Sequence, residues 1–197
     1  MQKRKNEEEI SIYLDTCILQ GAISQRNIDD TLFMKNIKDK KWKVYTSIHT
    51  LMELYDVAKD RKFLMKSVID KWVDVSTFLR DRRQMDLNRN DFNDIIKNIN
   101  NFFIQQDFDP FMNIDEEVWE IVKEIVENSN IHSSDALHLA SAQLWGCFAL
   151  VTHDRSFIKE GNRLLEEAKT LDIRICDVQD VEKTISEVMT NRTMKQV

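Results

Sequence analysis

Four acidic residues stand where an unpaired charge is costly, at the end of an apolar run or near the start of a helix-like run. Asp15 closes I-Y-L-D-T, Glu53 lies in T-L-M-E-L, Asp135 in S-S-D-A-L-H-L-A, and Asp154 follows L-V-T-H. Four carboxylates in one pocket repel one another, so at least one has a raised pKa unless a cation is present. Mg²⁺ and Mn²⁺ relieve this repulsion because hard cations prefer oxygen ligands. The pattern therefore predicts a metal site suited to phosphodiester hydrolysis.

The composition is that of a globular protein and not of a nucleic-acid coat protein. The 197 residues include 28 basic and 34 acidic side chains, for a net charge of −6, and 42% are hydrophobic. A coat protein for nucleic acid usually has a basic excess. The length suits one domain, or one domain with an elaboration. The negative net charge does not exclude an RNA enzyme, because bound cations neutralise a site made of carboxylates.

The N-terminus and the cysteines predict a cytoplasmic protein. The start M-Q-K-R-K-N-E-E-E is charged, and no apolar signal region follows it. The uncharged stretch 136–153 contains polar residues and predicts a helix plus a strand, so no membrane association is expected. Cys17, Cys147 and Cys176 form no C-x-x-C motif. They are predicted to be buried thiols in a reducing compartment.

Short apolar segments that alternate with helical patterns predict a parallel sheet covered on both faces. Strands are predicted at 10–14, 43–46, 148–152 and 173–176, with a shorter one at 111–114. Helices are predicted at 16–40 (one helix, or two with Asp29 or Asp30 as the cap of the second), 47–58, 60–83, 91–106, 115–127, 135–145 (capped by Ser133 or Ser134) and 156–171. The tail is predicted to be helical from 178 and to fray in T-N-R-T-M-K-Q-V.

The predicted elements bring the four acids to one edge of the sheet. Ligands of open parallel sheets bind beyond the carboxyl ends of the strands, which Asp15 and Asp154 occupy. Glu53 and Asp135 are expected in the first turns of helices that begin at the same edge, where the helix dipole favours carboxylates. The three glycines are too far apart for a phosphate-binding loop. A nucleotide-binding regulator on a similar sheet is therefore disfavoured.

Four motifs, in order between residues 10 and 157, resemble those of PIN-domain ribonucleases: L-D-T-C, S-I-H-T-L-M-E-L, D-A-L-H-L-A and T-H-D-R-S-F. The resemblance implies an α/β fold of three α/β/α layers, PIN-like and Rossmann-like, around a short, mainly parallel sheet. It implies a Mg²⁺- or Mn²⁺-dependent endoribonuclease of the two-metal type. It assigns catalytic and metal-binding roles to Asp15, Glu53, Asp135 and Asp154, and matches Thr152 to the family's hydroxyl beside the last acid.

The chain departs from the family pattern in two places. His153 stands where a small or amide residue is more usual, and the segment 61–110 is longer than in compact members. This segment is predicted to be an inserted helical elaboration. The predicted organisation is thus a flexible N-terminus at 1–9, a PIN-like nuclease domain at 10–178 that includes the elaboration, and a C-terminal helix and tail at 179–197.

Further residues are predicted to support the site. Thr16 and Ser47 are candidate hydroxyls behind the metal ligands, and Arg155 and His153 are candidates for RNA contact. His138, one turn after Asp135, is either a metal ligand or a buried, hydrogen-bonded histidine, and the second is more typical. The basic clusters are either RNA-backbone tracks or solvated helix faces. These clusters are Lys35, Lys38, Lys40, Lys41 and Lys43, and Arg80, Arg82, Arg83 and Arg89.

The resemblance leaves the biological setting open. The leading hypothesis is the toxin of a type II toxin–antitoxin pair, with RNA as substrate, an antitoxin protein as partner and a homodimer as the assembly. The alternatives are an RNA-processing or maturation nuclease, and a catalytically silent PIN scaffold that binds RNA or protein. The complete set of four acids weighs against the silent scaffold.

Overall fold

A computed structural model describes residues 9–70, 74, 76–77, 80, 87–106, 116–170 and 172–195. The chain forms two compact units: Met1–Ile48 with Phe108–Val197, and His49–Asp107. The flexible segment predicted at 1–9 lies, apart from Glu9, outside the described residues. The strand predicted at 111–114 and part of the helix predicted at 60–83 also lie outside them.

The described elements alternate between short strands and helices. In the first unit they are β1 Ser11–Leu14, α1 Thr16–Ser24, α2 Ile28–Lys40, β2 Lys43–Tyr45, α5 Glu116–Asn128, α6 Ser133–Leu144, β3 Ala149–Val151, α7 Arg155–Glu167, β4 Arg174–Cys176 and α8 Val181–Lys195. In the second unit they are α3 Ile48–Leu64, whose first residue belongs to the first unit, a π-helical segment Met65–Asp70, and α4 Arg89–Gln106.

The four strands form one parallel sheet in the order β2-β1-β3-β4. Tyr13 of β1 pairs with Tyr45 of β2 and with Leu150 of β3, and Leu150 pairs with Ile175 of β4. Because directly paired residues share a face, Tyr13, Leu150 and Ile175 point to one side of the sheet. The predicted α/β fold with layers of helices on a short parallel sheet is confirmed.

The face that carries Tyr13 is covered by α5, α6 and α7. Tyr13, Leu150 and Ile175 form one buried cluster with side chains of these helices. The helices contribute Val118, Val122 and Ile125 from α5, Leu137, Leu139 and Ala140 from α6, and Phe157 and Leu165 from α7. At about 25 cal/mol per Å² of apolar surface, burying a leucine or phenylalanine contributes roughly 1.5–3 kcal/mol. This packing holds the start of α6 beside the ends of β1 and β3.

Helix ends in the first unit differ from the prediction at three places. The second helix restarts with Asn27 as its N-cap, whose side chain accepts from the Asp29 N–H, and neither Asp29 nor Asp30 is the cap. Helix α6 is capped by the imidazole of His132, which accepts from the Ser134 N–H, and not by Ser133 or Ser134. An imidazole nitrogen can replace the usual cap oxygen because it is also an acceptor. The C-terminal helix continues to Lys195 instead of fraying at T-N-R-T.

The second unit contains a buried polar contact between its helices. Asp91, in the first turn of α4, accepts from the Lys66 ammonium and from the Asn88 N–H, and Lys62 Nζ lies 3.6 Å from it. The side chains of Ile95, Ile99 and Phe103 are buried at helical spacing along α4. Helical content in the elaboration at 61–110 is as predicted for the residues that are described. None of the described helices is long and apolar enough to cross a bilayer.

Candidate functional site

Three of the predicted acids meet at the carboxyl edge of the sheet. Asp15 directly follows β1, and its N–H donates to the Val151 carbonyl at the end of β3, 3.1 Å away. Asp154, three residues beyond Val151, is the N-cap of α7, and Asp135 is the third residue of α6. The charges of Asp15 and Asp154 both act on the pKa of Asp135. The three carboxylates therefore share one electrostatic environment.

The side chain of Asp15 is buried and held by several donors. Its Oδ1 accepts from the Thr16 N–H at 2.5 Å, which also makes Asp15 the N-cap of α1. Its Oδ2 accepts from the Thr152 hydroxyl at 2.6 Å and from the Cys17 thiol at 3.3 Å. Burial and the charge of Asp15 raise the pKa of Cys17 to about 12, so this thiol stays protonated and donates. The carboxylate is thus fixed in direction before any ligand arrives.

Asp135 is the acid that most needs a counter-charge. Burial raises its pKa, and the charges of Asp15 and Asp154 raise it further, while His138 acts in the opposite direction. Among the described residues, its carboxylate makes no hydrogen bond or ion pair. A half-buried carboxylate without partners, next to two others, matches the oxygen-rich environment that Mg²⁺ or Mn²⁺ prefers. The donor set of this edge therefore fits a hard divalent cation.

Asp154 is exposed and serves as the N-cap of α7. Its Oδ1 accepts from the Ser156 N–H at 2.8 Å, from the Ser156 hydroxyl at 2.5 Å and from the Phe157 N–H at 3.0 Å. These hydrogen bonds, first of all the one from the Ser156 hydroxyl, lower the pKa of Asp154 and keep it ionised. Within the described part of the chain, Oδ2 accepts no hydrogen bond. Capping orients the carboxylate and leaves this second oxygen open to a ligand.

Thr152 connects two of the acids and is completely buried. Its hydroxyl donates to Asp15 Oδ2 at 2.6 Å and accepts from the Asp154 N–H at 3.1 Å. Replacing Thr152 by valine keeps the shape but leaves both groups short of a partner, which costs about 1–3 kcal/mol for each buried group. We expect Thr152→Val to weaken Mn²⁺ binding by about 10-fold or more, since partners of metal ligands have effects of this size.

Isothermal titration of the metal-free protein with Mn²⁺ measures this effect. Thr190→Val, on the exposed side of α8, removes a threonine hydroxyl whose hydrogen bond among the described residues is to the Ser186 carbonyl of its own helix, at 2.9 Å. It is the matched control and is expected to bind Mn²⁺ as the wild type does. An unchanged affinity in Thr152→Val would show that the Thr152 hydroxyl does not orient Asp15 for a cation.

A buried chain of polar side chains also leads to Asp15. The hydroxyls of Ser47 and Tyr13 are hydrogen-bonded at 2.9 Å, and the Tyr13 hydroxyl lies 2.9 Å from His138 Nδ1. The other ring nitrogen, Nε2, is 3.5 Å from Asp15 Oδ1. His138 is 1% exposed, so it is a buried, hydrogen-bonded histidine that turns one nitrogen towards Asp15. Ser47, predicted as a supporting hydroxyl, is linked to Asp15 through Tyr13 and His138.

The remaining predicted residues of the first unit occupy different positions. Thr16 is buried and donates its backbone N–H to Asp15. Arg155 is exposed at the first position of α7, directly after Asp154, and its contact with RNA stays a prediction. His153 is engaged through both ring nitrogens, with Nε2 2.6 Å from Asp30 Oδ1 and Nδ1 3.0 Å from Asp177 Oδ2. Burial lowers the pKa of His153, but the hydrogen bonds to Asp177 and Asp30 outweigh it, so its pKa is raised.

Glu53 belongs to the second unit. It is the sixth residue of α3, one turn later than the first-turn position expected for it. Its Oε1 lies 3.2 Å from His49 Nε2 on the same helix, an i,i+4 contact. The role of Glu53 as a metal ligand stays a prediction.

The lysines at the end of α2 and the start of β2 (Lys40, Lys41 and Lys43) lie at the other edge of the sheet. Lys43 pairs with Ser11, the first residue of β1, whereas Asp15 follows its last residue. At about 3.3 Å per residue, roughly 13 Å of strand separates the two edges. Lys40 forms an ion pair with Glu182 at 2.6 Å. An RNA track over these lysines would therefore not line the aspartates. Of the arginine cluster, Arg82 and Arg83 lie outside the described residues.

Sequence reasoning missed four residues that contact this edge. The sequence predicts only a buried thiol for Cys17 and only a strand position for Tyr13, although both hydrogen-bond into the site. Asp30 was considered only as a helix cap, and Asp177 was not considered. Asp177 directly follows β4, just as Asp15 follows β1. The strand-end rule that selected Asp15 could have found it.

Comparison with known families identifies a match over most of the chain. The model of the PIN domain matches residues 12–161. Comparison with curated proteins gives no match. PIN domains are in general metal-dependent nucleases that act on RNA, in agreement with an edge of three carboxylates whose donor set fits a divalent cation.

Proposed function

Because this chain belongs to the PIN-domain family, we propose that it is an endoribonuclease that uses Mg²⁺ or Mn²⁺ to hydrolyse phosphodiester bonds in RNA. The observation that carries the proposal is the half-buried carboxylate of Asp135 beside two other carboxylates, unpaired among the described residues. Its pKa is raised by burial and by the charges of Asp15 and Asp154, and no protein group in the described residues pairs with it. A cation between these carboxylates would remove the free-energy cost of keeping Asp135 ionised there.

The proposed ligands are Asp15, Asp135 and Asp154, with Glu53 as a fourth. The cations supply a water of lowered pKa and neutralise charge on the phosphate, as in two-metal phosphodiesterases. The protein supplies orientation: the Thr152 hydroxyl and the Thr16 N–H fix the Asp15 carboxylate. No nucleophilic side chain is needed, because water attacks phosphorus and the bond to the leaving ribose oxygen breaks.

The roles of type II toxin and of RNA-maturation nuclease use the same chemistry and stay predictions. The antitoxin partner and the homodimer stay predictions as well. The silent scaffold is the alternative that a direct assay separates from the enzyme.

The proposal is tested with a circular RNA, which only an endonuclease can open. Purified protein is incubated with this RNA and Mg²⁺ or Mn²⁺, with an excess of EDTA in a parallel reaction, and with DNA of the same sequence. We expect linear products from RNA with either metal and none with EDTA. Cleavage that persists in EDTA would contradict a metal site. Binding of RNA without cleavage, with both metals and several RNAs, would support the silent scaffold.

A further inference from the structure

The three residues of the loop 152–154 are held by three different sets of contacts. Thr152 donates to Asp15, and Asp154 caps α7. Between them, the His153 ring lies between two carboxylates, with Nε2 on Asp30 Oδ1 at 2.6 Å and Nδ1 on Asp177 Oδ2 at 3.0 Å. The middle residue of the loop is therefore anchored on groups that do not belong to the predicted ligand set.

The two anchors come from different elements of the first unit. Asp30 is in the first turn of α2, and Asp177 directly follows β4. The backbone N–H of His153 contacts Cys17 Sγ at 3.3 Å, on α1. One imidazole thus connects the loop after β3 with α2 and with the end of β4, which are far apart in sequence.

The position of Asp30 is arranged for this contact and not for helix capping. Asn27 already caps α2, and Asp30 is 1% exposed. Among the described residues, its Oδ2 has no hydrogen-bond partner. A Cβ atom on Gly21 of α1 would lie 1.7 Å from this Oδ2. Glycine at 21 therefore provides the space in which Asp30 can reach His153.

We propose that His153 is a positioning residue of the metal site, whose ring is fixed by Asp30 and Asp177 and in turn fixes the segment 152–154. The inference rests on the proposed function, since it is the proposed ligand Asp154 and the Thr152 hydroxyl that the ring holds in place. It replaces the expectation of RNA contact by His153, because both ring nitrogens already contact carboxylates.

Positioning and RNA contact predict different kinetics. We expect His153→Ala to weaken Mn²⁺ affinity by about 10-fold, at the low end of the effect known for groups that orient metal ligands, and to lower kcat by a similar factor. The KM for RNA should not change. Gly21→Ala leaves His153 in place but displaces Asp30, and we expect smaller changes in the same direction. Asp177→Ala, on the partly exposed side of the ring, tests the second anchor if either of the other variants fails to fold.

Asp29→Asn is the matched control, because Asp29 is the exposed neighbour of Asp30 in the same helical turn. Its Mn²⁺ affinity and kcat should equal those of the wild type. A raised KM for RNA in His153→Ala, with unchanged kcat and Mn²⁺ affinity, would overturn the proposal in favour of RNA contact. A lowered melting temperature with wild-type Mn²⁺ affinity would overturn it in favour of a purely structural role.

The two proposals fail separately. Wild-type protein that cleaves RNA, with variants that behave like it, overturns the positioning role and keeps the nuclease. Wild-type protein that binds Mn²⁺ without cleaving RNA overturns the nuclease, and the Mn²⁺ affinities of the variants then decide the positioning role. Wild-type protein that binds no Mn²⁺ overturns both.

Discussion

Asp15→Asn is expected to lower the rate of RNA cleavage by at least about 10²–10³-fold, the usual cost of removing one preorganised group that stabilises transition-state charge. Asp15 is the most constrained of the three acids, with donors on both oxygens. An amide keeps the size of the side chain but has only one acceptor oxygen. It therefore cannot satisfy both Thr16 and Thr152 while also binding a cation.

The same substitution has a limited effect on stability. At least one donor loses its acceptor, which costs about 1–3 kcal/mol for each such group, while removal of a negative charge relieves the repulsion that Asp135 experiences. For a chain of this size each kcal/mol shifts the melting temperature by about 2–4 °C. The variant should therefore be folded at assay temperature, which circular dichroism can confirm before its activity is measured.

Single-turnover cleavage of RNA in saturating Mn²⁺ measures the loss. Asp39→Asn is the matched control, because Asp39 is exposed near the end of α2 that lies away from the aspartates. It makes the same chemical change and should cleave like the wild type. Equal rates in Asp15→Asn and Asp39→Asn would exclude Asp15 from the reaction.

Asp135→Asn is expected to make the metal-free protein more stable than the wild type. The folded-state pKa of Asp135 is raised above its usual value by burial and by Asp15 and Asp154. The native state therefore favours the protonated acid, and at neutral pH the ionised form destabilises the fold. Asparagine removes that destabilisation, so the melting temperature without metal should rise by about 2–4 °C for each kcal/mol relieved.

The stability difference between Asp135→Asn and the wild type should depend on pH in a defined direction. Above its folded-state pKa, Asp135 is ionised and the wild type carries the full cost. As the pH falls through that pKa, the acid takes up a proton and the cost disappears. The advantage of Asp135→Asn should therefore be largest at neutral pH and should shrink on acidification. Thermal melts in EDTA across this pH range measure it.

Mn²⁺ should reverse the order of the two melting temperatures, so that the wild type melts above Asp135→Asn. At a Mn²⁺ concentration of 100 times Kd, binding stabilises the wild type by about 2.7 kcal/mol, whereas Asp135→Asn loses a ligand and should gain much less. Glu117→Gln, an exposed acid in the first turn of α5, controls for the loss of a favourable carboxylate at a helix N-terminus. A lower melting temperature for Asp135→Asn in EDTA would instead make Asp135 a structural residue.

Much of the fold could be predicted because its signals are local. The strands β1, β3 and β4 are short apolar runs with polar ends, and an uninterrupted apolar strand indicates a parallel sheet buried on both faces. Helix ends were harder to predict, because any nearby acceptor can cap a helix. His132 caps α6 although serine follows it, since the path of the chain places its ring nitrogen at the Ser134 N–H.

The sequence by itself determined which acids stand at strand and helix ends, and the resemblance of their motifs determined the family. Asp15 and Asp154 are informative because each follows an apolar strand, which is a feature of a few neighbouring residues. The contacts of the site were decided only by tertiary structure. Tyr13 and His138 are 125 residues apart, and His153 and Asp30 are 123 apart. A hydrogen bond between two elements forms only when packing brings donor and acceptor within about 3 Å. No local sequence pattern encodes that distance.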